Sequence, residues 1–313
     1  MSVHRRVAIA LDVGGTKIAG ALVTRDARIV ARHQVGVDAR GGSRAVRQVL
    51  ALAERLAAEG DALGVGVAVP AVIDRARRTV VWAPNIRGWR RVALAELLER
   101  SLGLPALLEQ DGHAAAIGES WRGAARGVRN VVMLVIGTGI GGGMILDGRP
   151  YRGSDGLAGA AGWFTAGQSP CRSGLRLPGL ESLVAGPGIA HRAGVASGRS
   201  EEVFAAAAAG DEVARQIVAE TAEVLGLAIA DVVSLLNPDL IVLGGGVGVG
   251  AADQLLPRIR QIVRACAQPV SARRVRIERS RLGSDAGLLG VAHEVFQRCG
   301  NGAGPEEERR HES

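Results

Sequence analysis

Strands alternating with helices predict an α/β protein whose sheets are covered on both faces. Three observations carry that prediction. Short apolar, β-rich runs fall at 5–11, 18–23, 63–69, 131–136 and 240–243. Apolar residues at helical spacing fill 45–58, 93–102 and 212–234. A strand, glycine turn and second strand occur together twice, about 125 residues apart, which reads as an internal duplication.

The first of these devices is the run Val7-Ala8-Ile9-Ala10-Leu11, then Asp12-Val13-Gly14-Gly15-Thr16-Lys17, then Ile18-Ala19-Gly20-Ala21-Leu22-Val23. Adjacent glycines let backbone N–H groups approach an anion with no Cβ in the way, and Thr16 adds a hydroxyl. Lys17 is the only lysine among 38 Lys and Arg residues. A compact ammonium reaches a phosphate as a point charge where a guanidinium needs room for its fork. Asp12 stands beside this turn, a placement that suits Mg²⁺ held through water.

The second device is Val131-Val132-Met133-Leu134-Val135-Ile136, then the glycine turn over 137–143, then Met144-Ile145-Leu146 and the turn pair Asp147-Gly148. Gly137, Gly139 and Gly142 spell the dinucleotide fingerprint. That fingerprint needs a helix to begin at the loop, and the residues here predict a strand instead. Nor is there a Walker A loop, because Lys17 follows Thr16 rather than Gly.

Further along, Asp211-Glu212 supplies acids at the start of the long helical pattern, where they favour its dipole. Asn237-Pro238 stops it, and Leu240-Ile241-Val242-Leu243 predicts a buried strand. Gly244-Gly245-Gly246 then forms a third glycine turn before a helical pattern from Ala252, the expected place for an adenosine. Arg274-Val275-Arg276-Ile277-Glu278-Arg279 alternates as a strand with one solvated face. From Gly300 the composition predicts a disordered tail.

The 313 residues suggest about two domains. Hydrophobic residues make up 47% but aromatics only 3%, so the core must be aliphatic. No apolar run approaches the roughly 18 residues that span a membrane, and the start lacks the pattern of a secretion signal. We expect a cytoplasmic protein. Cys171, Cys266 and Cys299 form no C-x-x-C pair, and the 6 histidines stand at no metal-ligand spacing. The net charge of +7 is spread along the chain and mixed with acids. Arg87, Arg90 and Arg91 flank Trp89 in one short basic patch. No nucleic-acid module accompanies it, so a solvated surface that attracts an anionic substrate is expected, not specific nucleic-acid binding.

These motifs, in this order, resemble the ROK family of sugar kinases and repressors over about 4–299. Asp12-Val13-Gly14-Gly15-Thr16-Lys17 resembles its first phosphate motif. Ala83-Pro84-Asn85-Ile86-Arg87-Gly88-Trp89 resembles its sugar-contacting segment. Leu108-Glu109-Gln110-Asp111-Gly112-His113 and the residues to Glu119 resemble the block with the catalytic aspartate. The turn at 137–143 resembles the second phosphate motif, and 243–246 with 284–290 the nucleotide-binding end.

The resemblance implies an actin-like (ribonuclease-H-like) ATPase fold with two domains around a cleft. It places a smaller α/β domain at 4–118, joined by a C-terminal helix at 286–299, a larger one at 119–285, and the tail at 300–313. It implies ATP, Mg²⁺ and γ-phosphoryl transfer to a hydroxyl, with Asp111 as base. Gly14, Gly15, Thr16, Lys17, Gly137, Thr138, Gly139, Gly245 and Gly246 would bind the nucleotide, and Asp12 the Mg²⁺ through water. Asn85, Gln110, Asp111, Trp163 and Glu181 would contact the acceptor. Two readings stay open for two of these: Asp111 as helix N-cap or base, and Trp163 as buried aromatic or pocket wall. A homodimer is implied. Only eleven residues precede Asp12, against the winged helix of the family's repressors.

Departures from the family pattern bear on the substrate. The catalytic block reads Glu109-Gln110-Asp111 where the family has E-N-D. Gly159-Ala160-Ala161-Gly162-Trp163 lacks the sugar-contacting glutamate and the histidine of G-E-x-G-H. The zinc-binding segment keeps Cys171 alone of three cysteines, so the zinc motif of a glucokinase-like protein is degenerate and no zinc site is expected. The sequence therefore points to an ATP-dependent kinase of a sugar-like polyol, a C7 cyclitol or an amino sugar of secondary metabolism. A glucokinase and a catalytically inactive sugar-binding protein are the alternatives.

Overall fold

The computed structural model describes residues 6–76, 78–165 and 179–300. The chain divides into two compact units. The first comprises Met1–Arg122, Arg152–Leu157 and Ser284–Ser313; the second comprises Gly123–Tyr151 and Ala158–Gly283.

The first unit opens with β1 (Val7–Val13), β2 (Lys17–Val23) and β3 (Ile29–Gly36), an antiparallel meander. Every residue of β1 is buried except Asp12, as a central strand covered on both faces requires. Next come α1 (Gly42–Glu59) and β4 (Ala62–Val69). The β4 strand lies parallel to β1, and such a pair needs a crossover, which α1 supplies. The buried stripe of α1, Ala45, Val49, Leu52, Ala53 and Leu56, repeats at helical spacing. A small sheet of β5 (Val72–Asp74), β6 (Thr79–Trp82) and β7 (Arg90–Val92) precedes α2 (Leu94–Leu102), β8 (Ala106–Gln110) and α3 (Asp111–Arg122). The main sheet runs β3-β2-β1-β4-β8.

The second unit repeats this plan. Its meander is β9 (Val131–Ile136), β10 (Ile140–Leu146) and β11 (Arg149–Tyr151). A 3₁₀ turn at Ala161–Trp163 follows, then α4 (Leu180–Val184), α5 (Gly186–Arg192), α6 (Ser200–Ala209) and α7 (Glu212–Leu236). The chain continues through β12 (Leu240–Gly244), α8 (Gly245–Gly250), α9 (Ala252–Cys266), α10 (Pro269–Arg274) and β13 (Arg276–Arg279). The sheet runs β11-β10-β9-β12-β13, with β12 parallel to both β9 and β13. The last helix, α11 (Ala286–Cys299), belongs to the first unit and packs against α3, β4 and β1. Strand order and sense match pair by pair, so the duplication read from two glycine turns extends to two whole sheets.

Helix ends follow local chemistry. Asp211 caps α7, its carboxylate accepting from the Ala214 N–H at 2.7 Å. Asn237 ends that helix in a left-handed conformation. Two local expectations change. The third glycine turn is no turn, since β12 passes directly into α8 at Gly245. The strand expected from residue 274 starts at Arg276, because the preceding arginines finish α10. No described helix is long and apolar enough to cross a membrane.

Candidate active site

The first unit gathers most of the expected chemistry. In the turn after β1, the Gly14 N–H donates to the Lys17 carbonyl at 2.9 Å. Gly15, Thr16 and Lys17 are exposed, and the N–H groups of Gly15 and Thr16 donate to no described residue. They are free for an oxyanion. Asn85 lies against this turn. A Cβ on Gly15 would stand 2.7 Å from the Asn85 carbonyl oxygen, so only glycine allows the approach. The Asn85 loop is held from behind by Trp89, which is 1% exposed and donates from Nε1 to the Gly42 carbonyl at 3.2 Å. Trp89 is therefore an anchor of the core, not part of a basic surface patch.

Asp12 is half-buried, and its carboxylate accepts no hydrogen bond from a described residue. Burial raises its pKa to about 6; the like charge of Asp111 adds to the rise and Lys17 opposes it. Asp111 opens α3. Its Oδ1 accepts from the Gly112 N–H at 2.8 Å and from Gln110 Nε2 at 2.7 Å. Burial raises its pKa as well, against the Gly112 hydrogen bond and the nearby His113. Asp111 thus stands at the helix N-terminus while its second oxygen stays open. Gln110 uses its own Oε1 to accept from the His113 N–H at 2.9 Å.

Beneath this block lies an ionic cluster. Glu109 is 2% exposed and pairs with Arg152 at 2.7 Å, Arg75 at 3.3 Å and His113 at 3.3 Å. Arg152 also reaches Glu294 at 3.0 Å. Burial opposes the charge on Glu109, but His113, Arg152 and Arg75 hold its carboxyl well below the usual range. Sequence reasoning missed Arg75 and Arg152. They lie 34 and 43 residues from Glu109, and no local pattern links them.

In the second unit the turn between β9 and β10 is Gly137-Thr138-Gly139, closed by the Gly137 N–H donating to the Gly139 carbonyl at 2.9 Å. Thr138 is exposed. A strand follows, not a helix, which removes the dinucleotide fingerprint on structural grounds. Glu181, in α4, accepts at Oε2 from the Ile140 N–H at 2.9 Å. It is bound to the start of β10, with Oε1 left over. Gly245 has φ +77° where a side chain would collide with the Ile136 carbonyl, whereas Gly246 faces open space. Trp163 is 72% exposed, which excludes the buried-aromatic reading. Cys171 and the remnant zinc segment lie outside the described residues. Among the described residues, no group of three His, Cys, Asp or Glu could hold a metal.

The ROK family model matches residues 8–298. The chain belongs to the ROK family. It is 34% identical to a glucokinase of Halalkalibacterium halodurans over 90% of this chain and 92% of that protein. It is 35% identical to an N-acetylmannosamine kinase of Citrobacter koseri over 91% of this chain and 97% of that one. A solved ROK family glucokinase from Streptomyces griseus, in complex with glucose and AMPPNP, superposes with a TM-score of 0.79 at 29% identity. The match covers 93% of this chain and 99% of that one. The fold is accordingly the actin-like ATPase fold, and the doubled β-sheet is its signature here.

Proposed function

We propose that this chain is an ATP-dependent kinase that phosphorylates a primary hydroxyl of a sugar-like polyol, a C7 cyclitol or an amino sugar rather than glucose. The observation that carries the reading is Asp111: one oxygen pinned by two N–H donors, the other open, and a pKa raised by burial. A carboxylate tuned upward and free on one side suits a general base.

Phosphoryl transfer needs positioning and charge stabilisation more than covalent chemistry. Asp111 Oδ2 would accept the proton of the attacking hydroxyl. Asn85, set by its contact with Gly15, would hold a neighbouring hydroxyl in the first unit. The free N–H groups of the two glycine turns, with Thr16, Lys17 and Thr138, would bind phosphate oxygens; Gly245 and Gly246 belong to the nucleotide end. Mg²⁺ fits the residues present, because Asp12 is a half-buried carboxylate with no hydrogen-bond donor and a like charge nearby. When bound, a divalent ion would neutralise phosphate charge; Asp12 would orient it through water.

The acceptor follows from what is missing. Ala160 and Trp163 stand where the resemblance implies a glutamate and a histidine. Each lost charge-assisted hydrogen bond is worth roughly 1.5–3 kcal/mol, so glucose should bind weakly here. A carbocycle tolerates a loss on the anomeric side. The relative named as an N-acetylmannosamine kinase keeps an amino sugar in play, and the open Oε1 of Glu181 would suit an amine. Homodimer assembly is part of the same reading and is checked by sedimentation. The deciding experiment is steady-state kinetics with ATP across glucose, aminohexoses and cyclitols. A cyclitol or aminohexose should give the highest kcat/KM. Glucose in first place overturns the acceptor, and no turnover on any of them favours a binding protein that kept the fold.

A further inference from the structure

We propose that Gln110 is a positioning residue that aims Asp111. The inference rests on the kinase reading only for its consequence; the geometry stands by itself. Both ends of the Gln110 amide are engaged. A backbone N–H only donates, so the atom facing His113 N at 2.9 Å is Oε1. A carboxylate accepts, so the atom facing Asp111 Oδ1 at 2.7 Å is Nε2. The two contacts fix the amide orientation together.

This arrangement does two things at once. The first N–H groups of a helix lack partners, and Gln110 satisfies that of His113 from the position before α3. The same side chain then turns its NH₂ on the next residue. With the Gly112 N–H at 2.8 Å, it places two donors on Oδ1 and leaves Oδ2 as the only oxygen open to a reacting hydroxyl. The asparagine of the family pattern is one methylene shorter. The extra methylene of Gln110 gives it the reach to meet both the His113 N–H and Asp111 Oδ1.

The test compares Gln110→Ala, Gln110→Asn and Gln110→Glu by steady-state kinetics on the best acceptor, with Asn85→Ala as a reference for acceptor binding. For a positioning role, Gln110→Ala and Gln110→Asn lower kcat by about tenfold, within the scale of a misplaced base. Their acceptor KM stays within about twofold, whereas Asn85→Ala raises it. Gln110→Glu keeps an oxygen for the His113 N–H, so it should fold even if Gln110→Ala does not. It also sets a carboxylate against Asp111, which should move the acidic limb of kcat upward by about one pH unit. Asp12 and His113, the titratable groups that act on Asp111, and Glu109, which accepts from the Gln110 N–H at 3.2 Å, are unchanged in all variants. A raised KM with kcat kept, or an acidic limb that stays in place, overturns the assignment. Loss of the kinase reading is separately visible as absence of wild-type turnover. In that event the ¹³C carboxyl titration of Asp111 in wild type and Gln110→Glu still decides, since it needs no turnover, and an unmoved titration overturns the proposal.

Discussion

The two units share one sheet plan, β3-β2-β1-β4-β8 in the first and β11-β10-β9-β12-β13 in the second, yet they differ in where they bury charge. In the first unit Glu109, His113 and Glu119 are buried on β8 and α3, and Asp12 interrupts an otherwise apolar β1. In the second unit the buried polar residues among those described are hydroxyls only, Ser200, Thr221, Ser271 and Ser280. Where β1 ends Asp12-Val13 before its glycine turn, β9 ends Val135-Ile136 before its own. The copied scaffold supplies equivalent turns. The buried titratable groups were placed in one copy, and the other was left to hydroxyl side chains and glycine turns. Mutations of equivalent weight should therefore act through electrostatics in the first unit and through sterics in the second.

The largest effect is expected from the base of the ionic cluster. Glu109→Gln leaves Arg75 and Arg152 facing a neutral group in a site that is 2% exposed at the glutamate. Breaking a buried pair on one side costs about 3–5 kcal/mol. Denaturant unfolding should show that loss. The sign with pH is also set: a carboxyl held below its usual range stabilises above the unfolded pKa, and the stability is lost as pH falls through the folded value. Wild-type stability should thus decline in acid, and the decline should flatten in Glu109→Gln. No loss in the variant would mean that the cluster is solvated.

Asp111→Asn comes next and should separate fold from chemistry. Asparagine can still accept the Gly112 N–H, so the melting temperature should hold. Turnover should fall by about 10²-fold or more, the usual scale for a general base. Near-normal kcat in the folded variant would leave Asp111 as no more than a helix-start residue.

What was legible in the sequence was what local spacing controls. The apolar runs that became β1, β2, β4, β9 and β12, the stripe of α1, and the Asp211 and Asn237 ends of α7 follow from residues within one element. The strand β3 was missed because it is half exposed and its alternation carries Arg32, His33 and Gln34. The helix α8 was missed because Gly-Gly-Val-Gly-Val-Gly has poor helix propensity and forms by following β12. At the candidate site, Asp12, Asp111 and the glycine turns could be named from motifs. Arg75 and Arg152 could not, since folding brings them to Glu109 from 34 and 43 residues away, and the double contact of Gln110, though local, depends on a side-chain conformation that spacing does not set.

A matched pair of glycines sharpens the comparison in the second unit. Gly245 sits at φ +77° against the Ile136 carbonyl, whereas nothing lies near Gly246. Gly245→Ala should cost about 1–2 kcal/mol for the left-handed backbone alone, with more from moving β9. Gly246→Ala, within α8, should be neutral or slightly stabilising. Equal unfolding midpoints for the two variants would show that α8 adjusts freely.

The smallest effect expected runs opposite to the rest, and it tests whether the first unit gives up stability for its chemistry. The pKa of Asp12 is raised from 3.8 to about 6 by burial and by Asp111, with Lys17 only partly offsetting them. A carboxyl whose pKa rises on folding binds more protons in the folded state. Its contribution is therefore favourable below the unfolded value and is lost as pH climbs through the folded one. Between about pH 4 and pH 6 the wild type should lose stability from this residue. Asp12→Asn removes the charge and keeps the shape, so at pH 7 it should be more stable than wild type. The shift alone sets an upper bound of roughly 3 kcal/mol. Because Asp12 is only half-buried, a gain of about 1 kcal/mol is the expected outcome. The same variant should lose most ATP turnover if Asp12 orients the metal. Thermal unfolding at pH 4 and pH 7, with turnover measured in parallel, checks both. A variant less stable than wild type at pH 7 would mean that Asp12 has a stabilising partner, and its isolation would no longer support a role in holding the ion.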